Sequence, residues 1–154
     1  MICVLFVCHG NICRSPMAEF VLRHMVKARG LEGEITVASA ATSCEELGSD
    51  VHRGTRRKLQ EQGIAFSHRQ ARLISARDYR EFDYLIGMDS RNLSNMRRVW
   101  GGDPDGKVSR LLAFAGLDRD IADPWYTGNF DETYDDVCQG CTALLDHLEK
   151  QLHG

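Results

Sequence analysis

The run Ile2-Cys3-Val4-Leu5-Phe6-Val7 is continuously apolar and rich in β-branched residues, a pattern satisfied when both faces of a strand are buried. It stops at Cys8. Ser15 and Pro16 follow as preferred cap and first-turn residues of a helix, so a strand, a tight loop and a helix N-terminus come in order. In that arrangement the amides of the loop and the positive end of the helix dipole converge on one point, where an oxyanion is the natural guest. Cys8 begins this phosphate-binding loop and Arg14 ends it.

Downstream of the loop, residues 16 to 29 place Met17, Phe20, Val21, His24, Met25 and Ala28 on one helical face, and Gly30 supplies the stop. Ile35 to Ser39 predicts a second strand, followed by a polar loop through Gly48. A second helix is expected from Gly54 to Gln62. Tyr84 to Met88 predicts a third strand, and Asp89 is placed to cap a helix over Ser90 to Arg98; Ser75 caps a short turn before them. Val108 to Leu112 reads as a fourth strand or, equally, as the start of a helix running through Phe114. Gly116 to Asn129 reads as a loop, because Asp123-Pro124 resists helix. A long final helix carries the stripe Val137, Cys141, Leu144, Leu145, Leu148 and Leu152. The expected fold is therefore α/β in one domain spanning residues 1 to 154: a four-stranded, mostly parallel sheet with helices on both faces. Ligands of such sheets sit beyond the carboxyl ends of the strands, which is where the Cys8 loop lies.

With 154 residues and a formal charge of -3, the chain has no overall basic field, so a nucleic-acid partner is not expected. The basic residues Arg53, Arg56, Arg57, Lys58, Arg69, Arg72, Arg77 and Arg80 alternate with Glu61, Asp78 and Glu81, as solvated helix faces do. No apolar stretch approaches membrane length, and a cytoplasmic location is expected. Six cysteines in a reducing compartment are not a disulfide framework, which turns attention to their reactivity.

The thiolate is the nucleophilic form of cysteine, and a helix N-terminus with a nearby cation favours it; Cys8 has both, with the Ser15 hydroxyl besides. Arg14 suits the same guest, since its planar fork binds two oxygens at once and stays charged. Gly10 and Asn11 are residue types that tolerate a left-handed backbone. Free cysteines are also common core residues, so Cys8 and Cys13 have packing as their plain alternative.

The segment Val7-Cys8-His9-Gly10-Asn11-Ile12-Cys13-Arg14-Ser15-Pro16-Met17-Ala18-Glu19 is similar to the signature of the low-molecular-weight protein tyrosine phosphatases. The similarity extends to Ser39-Ala40, His68 with Ala71-Arg72, Phe82-Asp83-Tyr84, Met88-Asp89 and Asp123-Pro124. It implies hydrolysis of protein phosphotyrosine and small aryl phosphates through a cysteinyl-phosphate, with Cys8 as nucleophile, Arg14 as phosphate clamp and Asp123 as general acid and base. No cofactor or metal is implied. Asn11, Ser15, Ser39 and His68 match positions that brace the loop, and Trp125 and Tyr126 match an aromatic wall, with core packing as their alternative. Cys13 matches a second loop cysteine able to trap oxidised Cys8 as a disulfide, or it simply packs. The partners implied are a tyrosine-phosphorylated protein and inorganic phosphate in the loop.

Three positions depart from the family pattern: His9 follows the nucleophile where an apolar residue is usual, Ala41 replaces a frequent glycine, and Ser43 to Leu47 lacks an aromatic. The last makes the pocket more open and more acidic on that side. An arsenate reductase would need further cysteines, and none lies between Cys44 and Cys138. Relatives acting on phosphoarginine carry threonine at the position of Ile12, so the isoleucine favours a flat aryl ester. Cys138-x-x-Cys141 lacks the second pair a zinc site needs. A module that only binds phosphotyrosine would not need both Cys8 and Asp123.

Overall fold

The structure, a computed structural model, describes all 154 residues. Strands β1 (Ile2–Cys8), β2 (Ile35–Ala41), β3 (Tyr84–Gly87) and β4 (Val108–Arg110) lie in the order β2-β1-β3-β4, every pair parallel rather than mostly so. The apolar run that opens the chain is the inner strand β1. Successive side chains alternate faces, so Val4, Phe6 and Cys8 enter one core while Leu5 and Val7 enter another. Each large residue buried this way contributes about 1.5–3 kcal/mol relative to exposure.

Helices α1 (Arg14–Ala28) and α6 (Phe130–His153) share the first core, and α2 (Arg53–Glu61) packs against both. Of the expected stripe on α6, Val137, Cys141, Leu144, Leu145 and Leu148 are fully buried, while Leu152 in the last turn is only partly buried. On the opposite face, α4 (Ser90–Trp100) contributes Met96 and α3 (Ala76–Glu81) contributes Tyr79 to the second core. Asp89 caps α4 by accepting from the Asn92 amide at 2.7 Å, and Gly101 ends it at φ 69°.

Two segments resolve or revise the expectation. Val108–Arg110 is strand, but Leu111–Ala115 turns into a 3-10 helix, because Leu111 and Leu112 are drawn fully under α6. Gly140 on α6 makes that close approach possible: a Cβ there would lie 2.5 Å from Leu111 Cγ. Within the expected loop from 116 to 129, Pro124–Thr127 forms a single helical turn, α5, with proline in its first turn.

The chain leaves β1 for β2 on one side, while β3 flanks β1 on the other. This is a topological switch point, and a crevice opens at the carboxyl ends of β1 and β3. The loop after β1 stands in that crevice beside Asp89, which follows β3. No helix is long and apolar enough to cross a membrane.

Candidate active site

The loop of residues 9 to 13 is shaped by where its carbonyls go. The His9 carbonyl accepts from Ser43 N at 3.0 Å, that of Ile12 from His52 N at 2.8 Å, and that of Asn11 from Arg69 Nη2 at 2.5 Å. In a trans peptide the next amide points opposite to the carbonyl, and the chain contains no cis bond. The amides of Gly10, Ile12 and Cys13 therefore turn inward, and none of the amides of residues 9 to 13 donates to a protein acceptor. The result is a cradle of donors for an oxyanion.

Asn11 is the keystone of the turn, at φ 57°, the chain's one non-glycine residue with positive φ. Gly10 does not need that conformation; its Cβ position abuts Glu46 Cγ at 3.4 Å instead. The Asn11 side-chain Nδ2 donates to Ser15 Oγ at 2.8 Å and Ser39 Oγ at 2.9 Å, while its Oδ1 accepts from Arg72 N at 3.3 Å. Ser39 then donates to the buried Glu19 at 2.5 Å, which Arg23 pairs at 2.7 Å. With Asn11 donating to the Ser15 oxygen, the hydroxyl proton is left for Cys8 Sγ, 3.1 Å away. The Ser15 amide also points at that sulfur, at 3.4 Å.

This explains why α1 begins two residues earlier than Ser15-Pro16 suggests. Cys13 is the N-cap, with no side-chain cap bond, because the Ser15 hydroxyl serves the sulfur rather than the helix end. Burial, with Cys8 and Asp123 nearby, pushes the Cys13 thiol well above its ordinary range, so it stays protonated.

Arg14 is 2 % exposed. Its Nη1 donates to Asp89 Oδ2 and to the Ile121 carbonyl, both at 2.8 Å, and its Nη2 lies 3.5 Å from Asp123 Oδ2. Burial would lower its basicity, but the neighbouring Cys8, Asp89 and Asp123 outweigh that and hold it firmly charged. Asp123 spends its other oxygen capping α5, accepting from Trp125 N at 3.0 Å.

Above the loop is a cavity of about 90 Å³ lined by Cys8, Ile12, Glu45, Glu46, Trp125 and Tyr126, among others. Trp125 and Tyr126 are 55 % and 82 % exposed, so both stand at the mouth rather than in the core. Glu45 and Glu46 form the acidic lip expected from the 43–47 segment, and His9 leans on Glu45 at 3.1 Å. Behind Trp125 stands His52, in edge contact with it at 5.8 Å and stacked on Phe130 at 5.3 Å.

His52 is one of the residues that sequence reasoning missed. It caps α2 through Nδ1, which accepts from Gly54 N at 3.0 Å and so requires a neutral ring. Burial, then Arg53 and Arg56, hold its basicity below the ordinary value of 6.5, against the smaller opposing pull of Asp123 and Glu46. Because folding lowers this value, the stabilisation it brings is complete above 6.5 and is lost as the pH falls through the folded value. His52→Asn keeps a good cap without the titration. Its melting temperature is expected to fall less steeply than the parent's as the pH is lowered from 6.5, measured by thermal unfolding. Equal slopes would contradict the assignment.

His68 stands one step from the loop. Its ring is exposed and bonds Asp50 at 2.5 Å, which also accepts from the Arg69 amide at 3.1 Å, and the His68 bond heads the causes that hold the Asp50 carboxyl well below its usual range. The direct brace is its neighbour Arg69, which reaches the Asn11 carbonyl, together with the Arg72 amide. Glu19 and Asp89 are further members that local pattern did not single out as functional. Cys138 and Cys141 both lie on α6; Cys141 is fully buried, and no group of three or more potential metal ligands occurs.

A parallel α/β sheet whose switch-point loop turns its amides inward over a buried thiol, with an arginine locked beside it, defines a protein built to handle phosphate. The family described as low molecular weight phosphotyrosine protein phosphatase matches residues 3–153. The chain is 42% identical over 154 residues to the low molecular weight protein-tyrosine-phosphatase YfkJ of Bacillus subtilis, covering 98% of each. The crystal structure of YfkJ superposes with a TM-score of 0.95, covering 98% of this chain and 96% of that one, at 41% identity. A low molecular weight protein tyrosine phosphatase from Streptococcus pyogenes follows at TM-score 0.87 and 39% identity, with 96% and 93% covered. The chain belongs to the low molecular weight phosphotyrosine protein phosphatase family.

Proposed function

We propose that this protein hydrolyses phosphotyrosine in proteins, and small aryl phosphates, through a cysteinyl-phosphate formed on Cys8. The observation that carries the reading is the Cys8 sulfur, held by the Ser15 amide and hydroxyl at the floor of the amide cradle beside charged Arg14. Three phosphoryl oxygens meet inward amides and the Arg14 guanidinium, which also meet the charge of the in-line transition state. The Cys8 thiolate attacks phosphorus, the P–O bond to the phenol breaks, and Asp123 gives its proton to the departing oxygen. Water then attacks the phosphocysteine, Asp123 takes a proton back, and phosphate leaves with the thiolate restored. Trp125 and Tyr126 flank the phenyl ring, and no step requires a metal or cofactor. A reducing cytoplasm suits a free catalytic thiol.

Ile12, at the wall of the cavity, offers a flat apolar surface to a ring and no hydrogen bond to a guanidino group. The test is phosphate release from paired peptides carrying phosphotyrosine or phosphoarginine at one position. Phosphotyrosine is expected to be favoured at least about tenfold in kcat/KM, the scale on which one mismatched pocket contact discriminates. Preference for phosphoarginine would overturn the substrate assignment, and hydrolysis of neither would overturn the activity.

A further inference from the structure

We propose that a groove beside the active-site mouth, between α2 and the turn joining α5 to α6, receives an acidic stretch of the phosphoprotein next to its phosphotyrosine. The proposal rests on the phosphotyrosine reading above. The groove has a volume of about 620 Å³ and shares a wall with the active site: Trp125 and Tyr126 face the cavity, and Thr127 to Phe130 line the groove. His52 bridges the two, touching Trp125 on one side and Phe130 on the other. A chain whose phosphotyrosine ring stands against Trp125 therefore passes over His52 directly into the groove.

The charges there are unevenly committed. In sequence, Arg53, Arg56, Arg57 and Lys58 form one basic run on a helix, but their partners differ. Lys58 binds Asp131 at 2.8 Å and Glu61 at 3.7 Å, and Arg56 binds Asp50 at 2.9 Å. The groove's two acidic residues both pair with Lys58, so its three cations exceed its two carboxylates by one charge. Arg53 and Arg57 are exposed, line the same groove and make no ion pair within 4.0 Å. They stand one turn apart on α2, about 6 Å along its axis. An extended peptide points every second side chain the same way at about 6.6–6.8 Å, so an Asp-x-Asp stretch matches the pair. Across the mouth, Glu45 and Glu46 repel the same stretch. The mouth is polarised, and that polarity sets which side of the phosphotyrosine the acidic residues occupy.

The experiment compares kcat/KM for three phosphotyrosine peptides of one length: neutral, Asp-x-Asp before the phosphotyrosine, and Asp-x-Asp after it. One acidic placement is expected to exceed the neutral peptide about three- to tenfold, the range two exposed ion pairs supply, and to lose that advantage as salt is raised. In the Arg53→Gln/Arg57→Gln variant the preference disappears, and in Arg53→Glu/Arg57→Glu it inverts, while hydrolysis of a small aryl phosphate stays within about twofold, these being solvated surface positions. No preference for either placement, or a preference that survives charge reversal, would overturn the groove. Loss of hydrolysis of every peptide and of the aryl phosphate by the parent enzyme would instead remove the phosphotyrosine reading, and this inference with it.

Discussion

Cys8→Ser is expected to abolish aryl phosphate hydrolysis, by about 10⁴- to 10⁶-fold in kcat, the scale on which an enzyme loses its nucleophile. A serine hydroxyl in this position stays protonated and is the weaker nucleophile. The Ser15 amide and hydroxyl both point at Cys8, as donors rather than bases. Binding should survive, because the cradle does not depend on the sulfur. Its carbonyls are tied to Ser43, His52 and Arg69, and Arg14 is held by Asp89 and the Ile121 carbonyl. The variant should therefore keep the rise in melting temperature that inorganic phosphate gives the parent protein, while releasing no phosphate from substrate. Turnover above about 1% of the parent would remove Cys8 as nucleophile, given the losses such replacements cause.

The fold is legible in the sequence wherever the deciding contacts are local. The β-branched run of β1, the Asp89 cap and the stripe on α6 need no distant partner to be recognised, and all three stand as expected. The segment after Val108 is different. Its strand ends at Arg110 because Leu111 is claimed by α6 across the gap left by Gly140, a contact between residues far apart in the chain. The direct brace of the loop escapes local pattern for a related reason. In an irregular segment, neighbouring side chains diverge, so a one-residue shift exchanges an exposed His68 for the Arg69 that reaches Asn11. Glu19 reads as an ordinary polar residue on an amphipathic helix until folding buries it against Ser39.

The aspartates show most clearly what sequence does and does not carry. Asp89 is recognisable in the sequence as a helix cap, whereas Asp123 lies in what reads as a loop, yet each caps a helix: one oxygen accepts from Asn92 N, and in the other case from Trp125 N. Only the fold reveals that the second oxygen of both carboxylates faces Arg14. The two differ in how that contact is made. Asp89 meets Arg14 at 2.8 Å and is its fixed counter-ion, whereas Asp123 stands off at 3.5 Å at the cavity wall. The closer carboxylate orients the guanidinium, and the looser one is free to reach a substrate oxygen.

That difference lets the chemical role proposed for Asp123 be tested apart from its structural one. Asp123→Asn keeps an N-cap of equal quality and a side chain of the same shape, so α5 and its Trp125 should stay in place. Asp123→Ala removes the cap as well, at a cost of about 1 kcal/mol in stability. If Asp123 protonates the leaving group, both variants should lose about 10²- to 10⁴-fold in kcat on phosphotyrosine, whose phenol has a pKa of about 10. Both should lose far less on an aryl phosphate whose phenol is acidic enough to depart as the anion. The dependence of kcat on leaving-group pKa, measured over a series of substituted phenyl phosphates, should steepen equally in the two. A cap-only role predicts the reverse: Asp123→Asn would keep the parent's rates, Asp123→Ala alone would fall, and its losses would be the same for every leaving group.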